Sequence, residues 1–235
     1  MQYHNTCRAV FRERPNRFIA RVEMDGELYT VHVKNTGRCR ELLVPGCTVI
    51  LAASDNPARK TKYDLIAVYK ERPGQMPLLV NMDSQAANDT AAEWLPHSGL
   101  FAPDAVIRRE VTFGESRFDF QIREGEKITW LEVKGVTLEE DGTVLFPDAP
   151  TERGVRHLRH LADSVQRGYG AAVLFVMQMR PMRQFRPNDR MHREFGDALR
   201  QAAEAGVRVL AMECEVTEDS LRIADAMPVN LDVQS

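Results

Sequence analysis

The stretch RFDFQIREGEKITWLEVKG, residues 117–135, decides how the second half of the chain folds. It is typical of two β-strands around a tight turn, with charged side chains set among apolar ones. Side chains alternate between the two faces of a strand, so each strand is expected to have one polar and one apolar face. The predicted faces are Arg117, Asp119 and Gln121 against Phe118, Phe120 and Ile122 in the first strand, and Trp130, Glu132 and Lys134 against Leu131 and Val133 in the second.

The polar faces of the two strands predict a metal site if they coincide. Asp119 and Glu132 then converge beside Lys134, and two carboxylates about 4 Å apart repel by roughly 4 kcal/mol at an effective dielectric constant of about 20. A site that holds them together needs a cation, and Mg²⁺ or Mn²⁺ suits oxygen ligands. Such an ion can polarise a phosphodiester and activate water, while Lys134 positions that water or stabilises developing negative charge. Asp119, Glu132 and Lys134 are therefore the predicted catalytic residues, and Asp119 and Glu132 the predicted metal ligands.

The same residues also fit a solvated hairpin face, where a Glu–Lys pair contributes about 0 to 1 kcal/mol. The aspartate 13 positions before Glu132 favours the catalytic interpretation. Glu93, in a preceding helix, is either a third metal carboxylate or a surface residue. His157 and His160 are predicted to be partly exposed helix residues rather than metal ligands.

The elements around the hairpin predict an α/β domain. Residues 88–90 can cap a helix that runs through AAEWL, and AVIRREVTF (105–113) reads as a strand. Thr151 opens a long helix with an apolar stripe, and the apolar run AAVLFVMQ then suits a strand buried on both faces. A second helix, closed by Gly206, and a final strand, VRVLAMECEV, follow. This order favours a sheet with helices packed on its faces.

The first third reads instead as short strands. RFIARVEM (17–24) and ELYTVHVKN (27–35) flank Asp25-Gly26, a strong hairpin signal, and residues 46–54 and 62–70 also read as strands. A small five-stranded oligonucleotide-binding (OB) barrel fits this size, and its open face commonly takes nucleic acid. The turn-rich RPGQMP places the domain boundary nearby, which gives an OB-like domain over 1–80 and an α/β domain over 81–235.

Charge is distributed unevenly along the chain. The formal net charge is -3, yet residues 1–80 carry 13 Lys and Arg against 8 Asp and Glu, and the remainder carries 18 against 26. A basic first third suggests a polyanionic partner, although an excess of this size also falls within normal scatter. Lys34, Arg38 and Arg40 surround Asn35-Thr36-Gly37, which is either a phosphate-contacting loop or a structural turn. Arg153, in a first helical turn, can meet a phosphate or form a salt bridge. The predicted DNA-binding residues are Arg17, Lys34, Asn35, Thr36, Arg38, Arg40 and Arg153.

The composition excludes several other classes. The first 14 residues contain no apolar run, so no secretory signal is expected, and AAVLFVM is too short to span a bilayer. The 4 cysteines form no CxxC pair, which argues against a zinc ribbon or dithiol site. We therefore expect a cytoplasmic protein with reduced thiols.

The order Asp119, then Glu132-Val133-Lys134, resembles the PD-(D/E)xK nuclease core, with Phe118 in place of the proline. The chain as a whole resembles the sugar fermentation stimulation protein A family over nearly all of residues 10–228. The matching segments are RFIARVEMDG, HVKNTGRCRELLVPG, RREVTFGESRFDF, LEVKGVTL, LFPDAPTERGVRHLRHL and AAVLFVMQ.

The resemblance implies an N-terminal OB-like domain, a C-terminal nuclease-like domain, non-specific DNA binding and a regulatory link to bacterial maltose metabolism. Two functions follow as alternatives: a Mg²⁺- or Mn²⁺-dependent deoxyribonuclease, or a catalytically inactive DNA-binding regulator of sugar-metabolism genes. A sugar-responsive or protein-interaction module is supported only by the family name. RNA in place of DNA also stays open, because OB barrels bind both.

Overall fold

The computed structural model describes residues 1–35, 37–54, 56 and 58–233, and its first part is a β-barrel. The predicted hairpin turn is confirmed, because Asp25 and Gly26 both have positive φ and Met24 pairs with Glu27 across them. The strands of this part are β1 (Thr6–Asn16), β2 (Ile19–Met24), β3 (Glu27–Val33), β4 (Thr48–Ala53), β5 (Tyr63–Lys70) and β6 (Leu78–Asn81).

Five of these strands close into the barrel, as the sequence predicted. Their order is β3-β2-β1-β4-β5, and β5 returns to pair with β3 in parallel at His32 and Asp64. Closure removes the free sheet edges and leaves an interior filled by side chains. The core includes Phe11, Ala20, Val22, Val31, Val33, Val49, Leu51 and Leu65.

The sequence pattern missed β1, the central strand that pairs with both β2 and β4. Only Ala9 and Phe11 of its 11 residues are fully buried, and its register with β2 shifts twice. A strand that is polar on one face and irregular in pairing gives a weak period-2 signal. Strand β6 was also missed, and it adds to the barrel sheet beside β5.

The second part is a mixed six-stranded sheet with helices on both faces. Its sheet order is β15-β14-β12-β9-β8-β7, and the middle strands β9, β12 and β14 are parallel. The elements are α1 (Ala86–Trp94), a 3₁₀ turn (Leu95–His97), β7 (Val106–Phe113), β8 (Ser116–Glu124), β9 (Lys127–Val136), β10 (Glu139–Glu140), β11 (Thr143–Phe146), α2 (Glu152–Gln166), β12 (Gly170–Met177), β13 (Gln184–Pro187), α3 (Asp189–Glu204), β14 (Arg208–Val216) and β15 (Leu221–Ala226). Strands β10, β11 and β13 form a small separate sheet.

The helices divide the core of this domain into two layers. Alanines of α1 pack on one face of the sheet, whereas α2 and α3 pack on the other. The start of α2 is confirmed, because Thr151 Oγ1 accepts a hydrogen bond from Gly154 N at 3.1 Å. The predicted helix through AAEWL is confirmed as far as Trp94, but the predicted cap at Asn88 was wrong, because the helix begins at Ala86. Strand β14 is also not the last, because β15 pairs with it.

Two ion pairs and a backbone hydrogen bond join the barrel to the α/β domain. Lys34 pairs with Asp83 at 2.5 Å, Lys70 pairs with Glu139 at 2.5 Å, and Asn81 N donates to Gln178 O at 2.9 Å. These contacts hold the barrel against the end of the sheet where β9 and β12 finish. In the described ranges, no helix is long and apolar enough to cross a membrane.

Candidate metal and nucleic-acid site

Strand β9 carries Glu132 and Lys134 on the face of the sheet that α2 covers. In the parallel pairing with β12, Glu132 lies opposite Val173 and Lys134 opposite Phe175, and both partners belong to the core beneath α2 and α3. Because β9 is central, these side chains project into protein rather than solvent. Glu132 is only 3% exposed, and the ammonium group of Lys134 pairs with its carboxylate. A solvated hairpin face is therefore excluded.

Asp119 reaches the same region because its strand departs from regular pairing. The β8–β9 ladder ends at Phe120 and Leu131. Two residues after Leu131, Val133 N donates to Asp119 Oδ2 at 2.7 Å, so a side chain takes the place of a backbone acceptor. Oδ1 of Asp119 accepts from Asn88 Nδ2 of α1 at 2.8 Å. Together these bonds fix both oxygens of the carboxylate.

The same irregularity overturns one predicted face. Phe118 packs with Trp130 and His157 beneath α2, whereas Phe120 and Ile122 pack on the α1 face. The prediction that Phe118, Phe120 and Ile122 share one face of the sheet was wrong, because the alternation of side chains breaks at Asp119.

The two carboxyl groups have opposite pKa shifts. Burial, and next the negative charge of Glu132, raise the pKa of Asp119 to about 6, against the hydrogen bond from Val133 and the charge of Lys134. Burial also acts to raise the pKa of Glu132, but the hydrogen bond from His157 and the charge of Lys134 outweigh it and hold that pKa below its usual value. The site therefore combines a readily ionised glutamate with an aspartate that resists a second negative charge.

His157 orients Glu132 from α2. Its Nδ1 atom hydrogen-bonds Glu132 Oε1, which also accepts from Lys134. Arg153 Nε donates to the other ring nitrogen, Nε2, over 3.4 Å. An arginine can only donate, so Nε2 accepts and Nδ1 carries the proton that it donates to Glu132. The prediction that His157 is partly exposed was wrong, because its side chain is buried; His160 is half-buried beside Ser116.

The donor atoms of this site fit a hard divalent cation. The second carboxylate oxygen of Glu132, Oε2, is buried and has no hydrogen-bond partner among the residues that the structure describes. An orphaned carboxylate oxygen is costly unless a cation or a donor satisfies it. Asp119 supplies further oxygen ligands close by. Glu93 lies elsewhere: its exposed carboxylate pairs with the amino group of Met1, and α1 contributes Asn88 to the site instead.

Comparisons with known proteins assign the chain to a family. A family model described as the "Sugar fermentation stimulation protein RE domain" matches residues 85–220, and the "SfsA N-terminal OB domain" matches residues 13–79. The chain belongs to the sugar fermentation stimulation protein family. The homologue from Desulfitobacterium hafniense strain Y51 is 53% identical over 98% of this chain and 99% of its own length, and that from Clostridium beijerinckii is 49% identical over 98% and 100%. The solved structure of Pyrococcus furiosus SfsA in complex with Ca²⁺ superposes with a TM-score of 0.83, at 25% identity over 98% of each chain.

In this member of the sugar fermentation stimulation family, the predicted DNA-binding loop is built around Arg14. Its guanidinium donates to the carbonyl oxygens of Arg17 and Asn35 at 2.7 Å each, and of Gly37 and Arg38 at 3.0 and 2.8 Å. The side chains of Arg17, Arg38 and Arg40 are exposed and form no ion pair within the described ranges. These three arginines are thus available to an anionic partner.

The other predicted DNA-binding residues have internal partners. Lys34 pairs with the fully buried carboxylate of Asp83, and Asn35 donates to Met82 O at 3.0 Å and accepts from Gly37 N at 2.7 Å. Arg153 is exposed and reaches His157, as described above. Thr36 lies outside the described residues.

A second group of possible ligands, Glu152, His192 and Glu194, brings its ligand atoms within 4.8 Å of one another on the far side of α2. His192 Nδ1 accepts a hydrogen bond from Thr151 N at 3.3 Å. Metal ligation through Nε2 requires a proton on Nδ1, which would then face that N–H group. Glu152, His192 and Glu194 therefore do not fit a metal site while His192 Nδ1 accepts the hydrogen bond from Thr151 N.

Three residues that shape the site were missed by sequence reasoning. The sequence predicts only a helix cap at Asn88 and a partly exposed His157, and Arg14 lies in the strand β1, which the pattern does not predict. The spacing of Arg153 and His157, four residues apart on one helix, was a usable signal, because such residues are neighbours on a helix surface.

Proposed function

We propose that the protein is a divalent-metal-dependent nuclease that binds DNA through the arginine loop of its barrel. One observation carries the proposal: a buried glutamate, with one carboxylate oxygen that has no partner among the described residues, lies near an aspartate whose pKa is raised by burial and next by that glutamate's charge. Buried acids whose charges repel each other are a typical cation site. The Ca²⁺ complex of the Pyrococcus furiosus relative supports the choice of a hard cation.

Asp119 and Glu132 are the residues that would hold Mg²⁺ or Mn²⁺. A bound ion supplies an activated water and polarises a phosphodiester oxygen. The residues of the chain do the rest. His157 holds Glu132 in one orientation through Oε1, which leaves Oε2 for the ion, and Val133 N fixes Asp119. Lys134 keeps a positive charge at the same carboxylate, where it can stabilise negative charge that develops on phosphate.

DNA binding is supported by the unpaired arginines of the barrel. Arg17 and Gly37 border a cavity whose wall also includes Gly135, the residue after Lys134, and Arg38 and Arg40 border an adjoining depression of the barrel that shares Arg17 and Gly37. Phosphate contacts position a nucleic acid without reading its sequence. Non-specific binding with steep salt dependence is the expected behaviour.

The test is cleavage of supercoiled and linear DNA by the full chain with Mg²⁺, with Mn²⁺ or with EDTA. We expect nicking or cutting with a divalent ion and none with EDTA. Asp119→Asn should abolish cleavage. Lys134→Met should slow cleavage by at least about 100-fold, which is the usual effect of removing one group that stabilises developing charge. Asp104→Asn is the matched control, because Asp104 is an exposed aspartate in a turn outside the site.

Two outcomes oppose the proposal. Cleavage that survives Asp119→Asn points to a contaminating nuclease. DNA binding without cleavage under any divalent ion leaves the alternative, a DNA-binding regulator that uses the nuclease-like fold without cutting.

A further inference from the structure

A cavity of about 320 Å³ lies between the barrel and the α/β domain, and residues at the end of β9 form part of its wall. The barrel contributes Arg17 and Gly37 to its wall, and the α/β domain contributes Gly135, Asp148 and Gln178. Gly135 follows Lys134 directly on β9, so the cavity lies at the end of the strand that carries Glu132 and Lys134. The cavity is therefore a place where part of a substrate can sit while another part reaches the metal.

A second depression of about 420 Å³ continues from the cavity onto the barrel surface. The two share Arg17 and Gly37, and the outer one is also bordered by Arg38 and Arg40. Phe18, beside Arg17, leaves 55% of its side chain exposed. Phe18 lies next to Arg17 in the turn between β1 and β2. An exposed aromatic ring beside an arginine that forms no ion pair within the described residues can bind single-stranded nucleic acid, through base stacking and phosphate contacts.

Gly37 borders both depressions. Gly37 approaches the α/β domain so closely that a Cβ atom on it would lie 2.5 Å from Asp148 Oδ2 and 2.9 Å from Asn35 Oδ1. The inner cavity is at the lower end of the size of small-ligand pockets, about 300 to 1,000 Å³. It accommodates a group of nucleotide size and is too small to hold a base-paired duplex.

Asp148 is a half-buried carboxylate in the wall of the inner cavity. It makes no hydrogen bond or ion pair with any residue in the described part of the chain. A carboxylate accepts hydrogen bonds only, and it repels phosphate. Its natural partners on a nucleotide are therefore the donors of the nucleoside, such as a base amino group.

We propose that the substrate of this site is single-stranded DNA, which stacks on Phe18, passes its phosphates along Arg17, Arg38 and Arg40, and places one nucleoside in the inner cavity against Asp148. This inference rests on the proposed function, because it names the substrate class of the same site. It makes Phe18 and Asp148 positioning residues for the strand and gives neither a part in the chemical step.

The experiment measures binding without cleavage, so that the inference and the nuclease proposal can fail separately. Fluorescence anisotropy in EDTA compares a labelled single strand of about 12 nucleotides, within the site size of an OB barrel, with the blunt duplex of the same sequence. We expect the single strand to bind at least about tenfold more tightly, since only it can place a base on Phe18 and in the cavity. Equal or tighter binding of the blunt duplex overturns the inference, even if metal-dependent cleavage of DNA is found.

Variants test the two positioning residues. Phe18→Ala should weaken single-strand binding about tenfold, and Phe18→Tyr should keep it, because stacking needs only an aromatic ring. Leu28→Ala, which truncates another exposed apolar side chain of the barrel (68% exposed), should have no effect. A loss that Phe18→Tyr does not restore contradicts stacking.

The role of Asp148 is tested by whether its replacement weakens or strengthens the binding of single-stranded DNA. Asp148→Ala should weaken single-strand binding about tenfold, because it removes charge-assisted hydrogen bonds to the nucleoside. A carboxylate that only repels phosphate would give tighter binding instead, which overturns its role. Asp104→Ala removes the same charge from an exposed turn outside the cavity and measures the general electrostatic effect.

Discussion

His157 on α2 and Glu132 on β9 are joined by a buried hydrogen bond that holds the carboxylate oxygen Oε1 and leaves Oε2 without a partner in the described structure. Arg153 completes the arrangement by donating to the far side of the ring. The histidine thus acts on the metal site through the glutamate, as outer residues of metal sites commonly do.

Replacement of His157 should weaken metal binding without abolishing it. We expect His157→Ala to lower the affinity for Mn²⁺ by about 10- to 100-fold, because Glu132 loses the bond that fixes its orientation. Isothermal titration calorimetry measures the affinity. His160→Ala is the control, since His160 lies one turn further along α2 and contacts Ser116. An unchanged affinity in His157→Ala would show that Lys134 alone orients the glutamate.

Asp119 should destabilise the metal-free protein as the pH rises. Its pKa is raised from 3.8 to about 6 in the folded state, chiefly by burial. The folded protein therefore holds a proton that the unfolded chain has already released, and stability is lost as the pH rises from about 4 through about 6. Asp119→Asn removes this loss, so the variant should gain stability relative to the parent over that window, by at most about 3 kcal/mol.

Urea unfolding at about pH 4 and about pH 7 in EDTA measures this difference. A stability difference between the two proteins that is the same at both pH values contradicts the raised pKa. The result also checks that Asp119→Asn is folded when it is used as the inactive variant.

The sequence predicts elements well where the pattern is strong. The Asp25-Gly26 hairpin, the apolar stripe of α2 and the apolar run of β12 follow local rules of turn geometry and periodicity, and each is confirmed. Strand β1 failed because only one face is buried and its pairing is irregular. Sequence periodicity cannot predict a strand that forms through its pairing with neighbouring strands rather than through an alternating pattern of its own residues.

The site was predictable in composition but not in geometry. The sequence predicts the two acids and the lysine of the site, because their spacing along the strands indicates which side chains share a face. The break at Asp119, the bond to Asn88 and the burial of His157 depend on how α1 and α2 pack on the sheet. Tertiary contacts of this kind have no local signature.

Lys34 should matter for stability rather than for DNA binding. Its ammonium group forms an ion pair with the carboxylate of Asp83, whose side chain is fully buried. Lys34→Met leaves that charge unpaired, which costs about 3 to 5 kcal/mol. Thermal unfolding should show the loss, while DNA affinity measured well below the melting temperature should stay unchanged.

The double variant Lys34→Met/Asp83→Asn should recover most of the lost stability, because no unpaired buried charge remains. The pair Arg38→Ala/Arg40→Ala should behave in the opposite way, with weaker DNA binding and unchanged stability, since both side chains are exposed and unpaired in the part of the chain that the structure describes. A DNA affinity that falls with Lys34→Met to the same extent would return Lys34 to the DNA-binding surface.

Arg14 should control DNA binding without contacting DNA. Its guanidinium bridges two loops by donating to four backbone carbonyls, at Arg17, Asn35, Gly37 and Arg38. A lysine has one compact ammonium group and cannot span these acceptors. Arg14→Lys should therefore cost about 1 to 3 kcal/mol of stability through unsatisfied carbonyls, and it should release the loops that present the exposed arginines.

The DNA affinity of Arg14→Lys is measured as a function of salt, because each lost phosphate contact lowers the slope of log affinity against log salt by about 0.7 to 0.9. Arg12→Lys is the matched control on the same strand, since among the described residues the side chain of Arg12 forms only an exposed pair with Glu23. That pair is worth at most about 1 kcal/mol, so the control should keep both stability and slope. A slope that is the same in Arg14→Lys as in the parent would mean that the arginines reach DNA without the bridge, and the ordered loop would then have a structural role alone.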